Sequence, residues 1–352
     1  MSIAHSGSST VTSEPFVTIA IPTFNRASLL KKCVEVALSQ TYQRFELLVS
    51  DNASTDETAE VLRGFNDSRL RVVRQPHNIG LIPNWNACLA EARGEFIVFC
   101  SDDDALAPWI LEKCVAVAAQ DRTVPIVLGL CDFSNTDGSL DPAIPSRSFS
   151  TGIWQGTRLL AEYLGNKITV GNCSMMIRTA ALRAQGGFPL DLPSNGADVA
   201  AWSPLLMKGR AGFVNEACAT YNANDTSESS TYSLEARLQA ERELANYIIK
   251  VAGTTVEDEA ERHRVQLEAR CFLAGRIVFV LAQFRRRGDT LTQVLPWAWK
   301  LRKEIVYFGA NNPLRLVKPI ALVVVPTLVA DQVRKLKGFC RQMTQSARSD
   351  AT

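Results

Sequence analysis

Residues 95–104 read Glu-Phe-Ile-Val-Phe-Cys-Ser-Asp-Asp-Asp, an apolar run that ends in three consecutive carboxylates. A buried parallel strand has this continuous apolar character, and ligands of open α/β sheets bind at the carboxyl ends of such strands. Three adjacent carboxylates there repel one another unless a cation or a hydrogen-bond donor neutralises them. Oxygen ligands of this kind suit Mg²⁺ or Mn²⁺ holding a diphosphate. The alternative is a solvated acidic turn that also caps the helix predicted after Pro108.

Alternating strand and helix patterns surround this stretch. Strands are predicted at residues 16–21, 45–49, 70–73, 172–177 and 212–221, and helices at 27–40, 83–92, 179–184, 234–251 and 257–284. Ser54 or Thr55 is expected to cap a further short helix that carries Val61 and Leu62. Strand and helix alternation at the spacing of the first segments is typical of βαβ units in a parallel sheet. Neither the G-x-G-x-x-G nor the P-loop pattern follows the first strand, which argues against a Rossmann dehydrogenase and a P-loop NTPase.

The ends of these strands carry three motifs in a recognisable order. Pro22-Thr-Phe-Asn-Arg26 follows the first strand, Ser50-Asp-Asn-Ala-Ser-Thr-Asp56 follows the second, and Asn78-Ile-Gly80 precedes the acidic stretch. Together they resemble the nucleotide-sugar half of family 2 glycosyltransferases with the GT-A fold, of the kind that builds bacterial O-antigens and other polysaccharides. The resemblance covers residues 15–232. It implies an α/β GT-A sheet flanked by helices, with a C-terminal helical appendage.

The resemblance also implies domain limits and site residues. Residues 15–132 are expected to form the nucleotide-sugar half and 133–232 the acceptor half; from composition and periodicity, residues 1–14 are expected to be disordered and 233–352 to form a basic helical region. The donor is expected at Pro22, Thr23, Asn25, Arg26, Asp51, Asn78, Gly80 and Asp102, and Mg²⁺ or Mn²⁺ at Asp103 and Asp104. Two alternatives stay open: Asp51 as a residue that forms the turn ahead of a helix, and Arg26 as a solvated charge. Ser101 stands where many relatives have the first Asp of the metal motif.

The acceptor half departs from the family pattern at two positions. Relatives follow a Gly-Gly-Phe element, here residues 186–188, with a Glu-Asp pair; Ala197 takes the Glu position and Asp198 the Asp position. Asp198 is the expected general base, with Asp191 as a substitute candidate. The alternative for Asp198 is a helix N-terminal Asp stabilised by the helix dipole. Asn224 stands where relatives often have a metal-binding His.

Charge divides the chain sharply. Residues 270–352 carry 15 Lys or Arg and 4 Asp or Glu, whereas residues 1–269 carry 23 and 32. Near Trp297, Trp299 and Lys300, aromatic and basic residues alternate, which suggests either a surface on an anionic membrane or a buried helix of the appendage. The apolar residues 319–330 are too few to span a bilayer, which needs roughly 20. The nine cysteines include no C-x-x-C pair, so buried free thiols in a reducing compartment are expected.

These patterns favour an inverting, metal-dependent glycosyltransferase that uses a nucleoside-diphosphate sugar and a saccharide acceptor, free or lipid-linked. The expected location is the cytoplasm, with peripheral contact at the inner face of the membrane as an option, and no nucleic acid partner. Two other functions stay open: a sugar nucleotidyltransferase, and a non-catalytic protein that binds nucleotide sugars or a membrane. The first of these normally has a Gly-rich loop after its first strand, which residues 22–26 lack.

Overall fold

The chain folds into two compact units. The computed structural model describes residues 14–135, 138–223 and 231–309. The first unit takes the described residues of Met1–Gly156, Ile168–Leu190 and Gly209–Asn224, and the second those of Thr157–Lys167, Asp191–Lys208 and Asp225–Thr352. The domain limits expected from the sequence stay a prediction.

A ten-stranded sheet forms the centre of the first unit. Its strands are β1 Val17–Thr23, β2 Phe45–Asp51, β3 Leu70–Arg74, β4 Phe96–Phe99, β5 Ala105–Leu106, β6 Ile126–Ser134, β7 Leu140–Asp141, β8 Gly152–Gln155, β9 Met175–Arg178 and β10 Arg210–Asn222. The order is β3-β2-β1-β4-β9-β6-β10-β5, with β7 beside β6 and β8 beside β10. Strands β3, β2, β1 and β4 run parallel, as their apolar runs predict.

Helices connect these strands and build the second unit. They are α1 Ala27–Leu38, α2 Thr58–Arg63, α3 Leu81–Glu91, α4 Ile110–Ala118, α5 Gly156–Leu164, α6 Thr179–Ala184, α7 Ala197–Met207, α8 Leu234–Thr255, α9 Glu259–Arg286, α10 Leu291–Lys300 and α11 Arg302–Gly309. Most predicted elements are found within a few residues of their expected limits. The strand predicted at 172–177 instead begins with a 3₁₀ turn, Asn172–Ser174, before β9. Ser54 and Thr55 do not cap α2; the Asp56 carboxylate accepts the backbone N–H of Thr58 instead, at 3.1 Å.

The core of the first unit explains why its central strands read as continuous apolar runs. All seven residues of β1, all seven of β2 and all four of β4 are buried. One face of α1, formed by Leu30, Cys33 and Val34, packs into the same apolar cluster. Strands that are covered on both faces have no polar side to present to water, so the sequence shows no alternation there.

A buried carboxylate, Glu46, joins β1 to β2 at the amino end of the sheet. It accepts hydrogen bonds from the Thr18 hydroxyl and the Arg93 backbone N–H, both at 2.8 Å, and from Arg71 Nε at 3.1 Å. Burial raises the pKa of the Glu46 carboxyl, but these donors more than offset it and hold the pKa below its ordinary value. The chain approaches β1 closely here: a Cβ on Gly94 would lie 2.4 Å from the Thr18 backbone nitrogen.

The second unit is helical, as predicted for the region beyond residue 232. Leu238, Ala245, Ile277 and Leu281, on α8 and α9, are among the residues of its apolar cluster. Among the described residues, no helix combines the length and apolar character needed to cross a bilayer. All eight cysteines in the described part of the chain are free and seven of them are buried, so the expectation of buried free thiols is confirmed for those seven; Cys271 is partly exposed.

Candidate active site

Three loops begin at the same edge of the first unit's sheet. In the parallel register, Thr23 at the end of β1 lies beside Asp51 at the end of β2, and Asp51 lies beside Arg74 at the end of β3. Strand β4 pairs with the other side of β1, so the acidic stretch that follows it starts at this edge as well. The sheet topology therefore brings together the strand-end motifs that the sequence separates by many residues.

Asp102 is a nearly buried carboxylate of this edge and has a cationic partner. It is 3 % exposed and accepts hydrogen bonds from the Thr23 hydroxyl and Arg26 Nη1, both at 2.7 Å. Burial raises the pKa of Asp102, and Arg26 and Thr23 oppose this shift. The first loop and the acidic loop are thus tied together by Asp102.

Arg26 bridges two of the three adjacent carboxylates. The same Nη1 that contacts Asp102 lies 2.9 Å from Oδ2 of Asp103. The Arg26 side chain is 20 % exposed, whereas those of Asp102 and Asp103 are 5 % and 9 % exposed. The alternative of a solvated Arg26 is therefore wrong, because its guanidinium neutralises part of the acidic cluster.

The last carboxylate, Asp104, is turned toward β10. It is 5 % exposed and accepts the backbone N–H of Asn222 at 3.1 Å. The Asn222 side-chain amide donates to the backbone carbonyl of Asp103 at 2.6 Å. Burial, and then the charge of Asp103, raise the pKa of Asp104 to about 8. Asn222 therefore fixes the shape of the acidic loop, and sequence reasoning did not identify it.

A cavity of about 320 Å³ opens beside these groups. One wall of this cavity is formed by Asp102, Asp103 and Asp104. The other walls are formed by residues of α1, including Lys32, and by the end of β10. This volume is at the lower end of the range for small-molecule sites, which is roughly 300–1,000 Å³.

The donor set fits a hard divalent cation that is shared with a ligand. Carboxylate oxygens are the ligands that Mg²⁺ and Mn²⁺ prefer, and three consecutive carboxylates, those of Asp102, Asp103 and Asp104, line this cavity. Within the described residues, no group of three or more His, Cys, Asp or Glu side chains is arranged to enclose a metal ion. Phosphate oxygens and water would have to complete the coordination, which is the usual arrangement for Mg²⁺.

Asp51 lies at the same edge of the sheet, at the end of β2, and its carboxylate also holds the turn that follows this strand. It is 2 % exposed; its Oδ1 accepts the Ser54 backbone N–H at 2.8 Å, and its Oδ2 forms an ion pair with Arg74. The Ser54 contact fits the alternative in which Asp51 forms the turn after β2. The contact with a nucleotide base stays a prediction. Arg74 was not identified from the sequence, although its place at the end of the third predicted strand was a usable signal.

The other residues that were expected to contact the nucleotide sugar form hydrogen bonds that hold the loops at this edge. Asn25 has a positive φ of 53°, and its side-chain oxygen accepts the Thr55 backbone N–H at 2.7 Å. Asn78 accepts from the Asn52 side chain and from the Gly80 backbone N–H, both at 2.9 Å. These bonds hold the loops in place. Pro22 is buried within β1.

Asp198 lies in the second unit, in the first turn of α7. Burial raises the pKa of its carboxyl; Arg276 opposes the shift and Glu241 adds to it. Glu241 is 2 % exposed and accepts two hydrogen bonds from the Arg276 guanidinium, of 2.6 and 3.0 Å. The proximity of this buried ion pair was not foreseen from the sequence. The role of Asp198 as a base stays a prediction, and Asn224 lies outside the described residues.

Comparison with known proteins gives a consistent result. The model of a family described as glycosyl transferase family 2 matches residues 18–183. The chain is 35 % identical over 128 residues to a chondroitin synthase of Pasteurella multocida, which is 36 % of this chain but 13 % of that protein. It is 27 % identical over 224 residues to TuaG of Bacillus subtilis, a putative teichuronic acid biosynthesis glycosyltransferase, covering 62 % of this chain and 82 % of the relative.

Two solved structures show the same fold. TarS 1–349 of S. aureus in complex with UDP-GlcNAc superimposes with a TM-score of 0.60 at 19 % identity, over 85 % of this chain and 88 % of that one. The mannosyltransferase PcManGT of Pyrobaculum calidifontis, in complex with GDP-Man and Mn²⁺, gives a TM-score of 0.52 at 20 % identity, over 89 % and 87 %. The predicted GT-A fold class with a helical C-terminal region is confirmed.

Proposed function

Residues 18–183 of this chain match the model of glycosyl transferase family 2, and from this premise we propose that the whole chain moves a sugar from a nucleoside diphosphate to a saccharide acceptor. The reaction inverts the anomeric centre and uses Mg²⁺ or Mn²⁺, as is typical of the family. The acceptor is a saccharide, free or attached to a lipid, in the synthesis of a surface polysaccharide. The location is the cytoplasm, at the inner face of the membrane when the acceptor is lipid-linked.

The observation that carries the proposal is the network of Thr23, Arg26, Asp102 and Asp103. The two loops contribute a hydroxyl, a guanidinium and two carboxylates within hydrogen-bond distance of one another at the carboxyl edge of a parallel sheet. Such an edge is the usual ligand site of α/β folds. The relatives add to this support, since TarS and PcManGT bear the fold and their structures hold UDP-GlcNAc and GDP-Man.

Each residue of the site has a proposed task. Asp103, with Asp104 as its neighbour, holds the divalent ion, which supplies charge stabilisation for the departing diphosphate. Asp102 accepts a hydrogen bond from a hydroxyl of the ribose, and Asp51 accepts one from an N–H of the base, since a carboxylate is a hydrogen-bond acceptor. Arg26 holds Asp102 and Asp103 close together, and its positive charge suits a phosphate.

Asp198 is proposed as the general base that takes the acceptor hydroxyl proton. Burial raises its pKa, which moves a carboxylate toward the neutral range where base catalysis is efficient. The charges of Glu241 and Arg276 act on this pKa in opposite directions. Asp191, the substitute candidate, lies outside the helix that carries Asp198 and is exposed.

Turnover of a donor tests the proposal. We expect release of a nucleoside diphosphate from a suitable nucleotide sugar, dependent on Mn²⁺ or Mg²⁺ and lost in Asp103→Ala and Asp198→Ala. Glu35→Ala, which removes an exposed carboxylate of α1, is the matched control and should leave the release unchanged. Donor binding without release would favour the non-catalytic protein. Release of pyrophosphate from a nucleoside triphosphate and a sugar phosphate would establish the nucleotidyltransferase.

A further inference from the structure

Helix α10 of the second unit has two apolar faces, and among the described residues only one of them packs against the apolar cluster of the unit. Val294 is fully buried and Trp297 and Ala298 pack against the apolar cluster of the unit. Leu291, Leu295 and Trp299 are 36 %, 49 % and 70 % exposed. Since residues four apart lie on the same side of a helix, these three form one continuous strip, which we call the α10 strip.

The helix holds its place without the α10 strip. Thr290 precedes it, and the Thr290 backbone N–H donates to the Gln293 side chain at 2.7 Å while the Thr290 carbonyl accepts from Val294 N–H at 3.2 Å. The first of these bonds is the one that the N3 side chain makes in a capping box, and the second is the first backbone bond of the helix. Because these bonds and the inward face hold the helix, we expect polar substitutions on the strip to leave the fold intact.

Cations lie on the tryptophan rings of this helix. Lys300 Nζ lies 4.4 Å from the Trp297 ring centroid, and the Arg302 guanidinium lies 4.3 Å from that of Trp299. Arg302 also donates to the Trp299 backbone carbonyl at 2.8 Å. Lys300, Arg302 and Lys303 are all exposed. Between residues 285 and 304 the sequence has six Lys or Arg and two Asp or Glu.

An apolar strip with cations at its end matches one kind of partner. Tryptophan prefers the level of lipid headgroups, where its ring is partly buried and its N–H is wet, and lysine and arginine attract anionic headgroups. We propose that the α10 strip inserts into the surface of an anionic membrane while Lys300, Arg302 and Lys303 contact the lipid phosphates. The charge of the helix end selects this partner over a neutral apolar groove.

Vesicle binding by the full chain tests the proposal and requires no sugar transfer, so it stands apart from the proposed function. Cosedimentation is measured with phosphatidylcholine vesicles, with and without phosphatidylglycerol, at low and high salt. We expect binding to the anionic vesicles, weakened by salt because screening shortens the reach of the charges. Replacing Leu291, Leu295 and Trp299 together by Gln should lower the partition coefficient by about tenfold or more.

Two further variants separate the contributions. Replacing Lys300, Arg302 and Lys303 by Gln should lower binding to anionic vesicles by roughly tenfold to a hundredfold, since each surface cation contributes about 1 kcal/mol, and should remove most of the salt dependence. The matched control replaces three exposed apolar residues of the first unit, Leu140, Ile144 and Leu190, which are 54 %, 49 % and 68 % exposed. This control should bind vesicles as the wild type does.

Three results would overturn the proposal. The first is a strip variant that binds anionic vesicles like the wild type. The second is a strip variant that melts at a lower temperature with unchanged vesicle binding, which would mean that another part of the chain covers the strip. The third is a wild-type dimer that the strip substitutions convert to a monomer, with no vesicle binding by either, which would assign the strip to a second copy.

Discussion

Replacement of Arg26 by Ala removes the cation that joins Asp102 and Asp103. Its Nη1 lies 2.7 Å from one carboxylate and 2.9 Å from the other, and both carboxylates are nearly buried. Leaving a buried charge without its partner costs about 3–5 kcal/mol, and the partial exposure of Arg26 reduces this to about 2–4 kcal/mol of unfolding free energy. The measurement is urea denaturation in the absence of metal.

Divalent metal should compensate for the lost guanidinium. If Mn²⁺ binds at the same carboxylates, it restores part of the stability of Arg26→Ala and raises its melting temperature more than that of the wild type. Arg210→Ala is the control, because Arg210 is 59 % exposed and forms an ion pair of 3.2 Å with Asp121. An exposed pair of this kind is worth less than about 1 kcal/mol. An Arg26→Ala protein as stable as Arg210→Ala, with no larger response to Mn²⁺, would refute the reasoning.

Three other substitutions probe neighbouring bonds. Thr23→Val removes the hydroxyl that donates to Asp102, and we expect a loss of about 1–2 kcal/mol in urea denaturation because a buried charged acceptor loses a donor. Asn222→Ala removes the amide that holds the Asp103 carbonyl, and we expect a similar loss together with weaker Mn²⁺-dependent donor binding in thermal-shift assays. Glu46→Gln weakens the junction of β1 and β2. Because the folded pKa of Glu46 is lowered, its contribution is present above the unfolded value near 4.5 and is lost as pH falls, so the stability gap between wild type and variant should be wide at pH 7 and narrow below pH 4.

The sequence predicted the elements that local composition determines. The runs that became β1, β2 and β4 are buried along their whole length, so most of their residues are apolar, and polar residues end β1 and β2. Since the ends of parallel strands share an edge, the motifs at those ends were expected to meet there. The structure confirms this for Thr23, Arg26 and Asp102.

Contacts between distant parts of the chain were not predictable in the same way. Asn222 reaches the acidic loop because β10, the last strand in sequence, pairs with both β6 and β5. The ion pair of Arg276 with Glu241 joins residues on α8 and α9 and acts on Asp198 of α7, and no local pattern specifies which faces of three helices converge. The start of α2 was also hard to predict. Ser54, Thr55 and Asp56 are all residue types that can accept a hydrogen bond from the start of a helix, and contacts with other parts of the chain determine which of them does so. Ser54 instead accepts the Asn25 backbone N–H at 2.9 Å.

The most direct test of the account is binding of nucleotide sugars to the Asp103 edge. A panel of nucleoside-diphosphate sugars is screened by thermal shift with and without Mn²⁺, using the wild type, Asp103→Ala and the control Glu35→Ala. We expect at least one donor to raise the melting temperature of the wild type and of Glu35→Ala only when Mn²⁺ is present, and Asp103→Ala to show no such rise. A donor that stabilises Asp103→Ala as strongly as the wild type, or that binds equally well without metal, would contradict it.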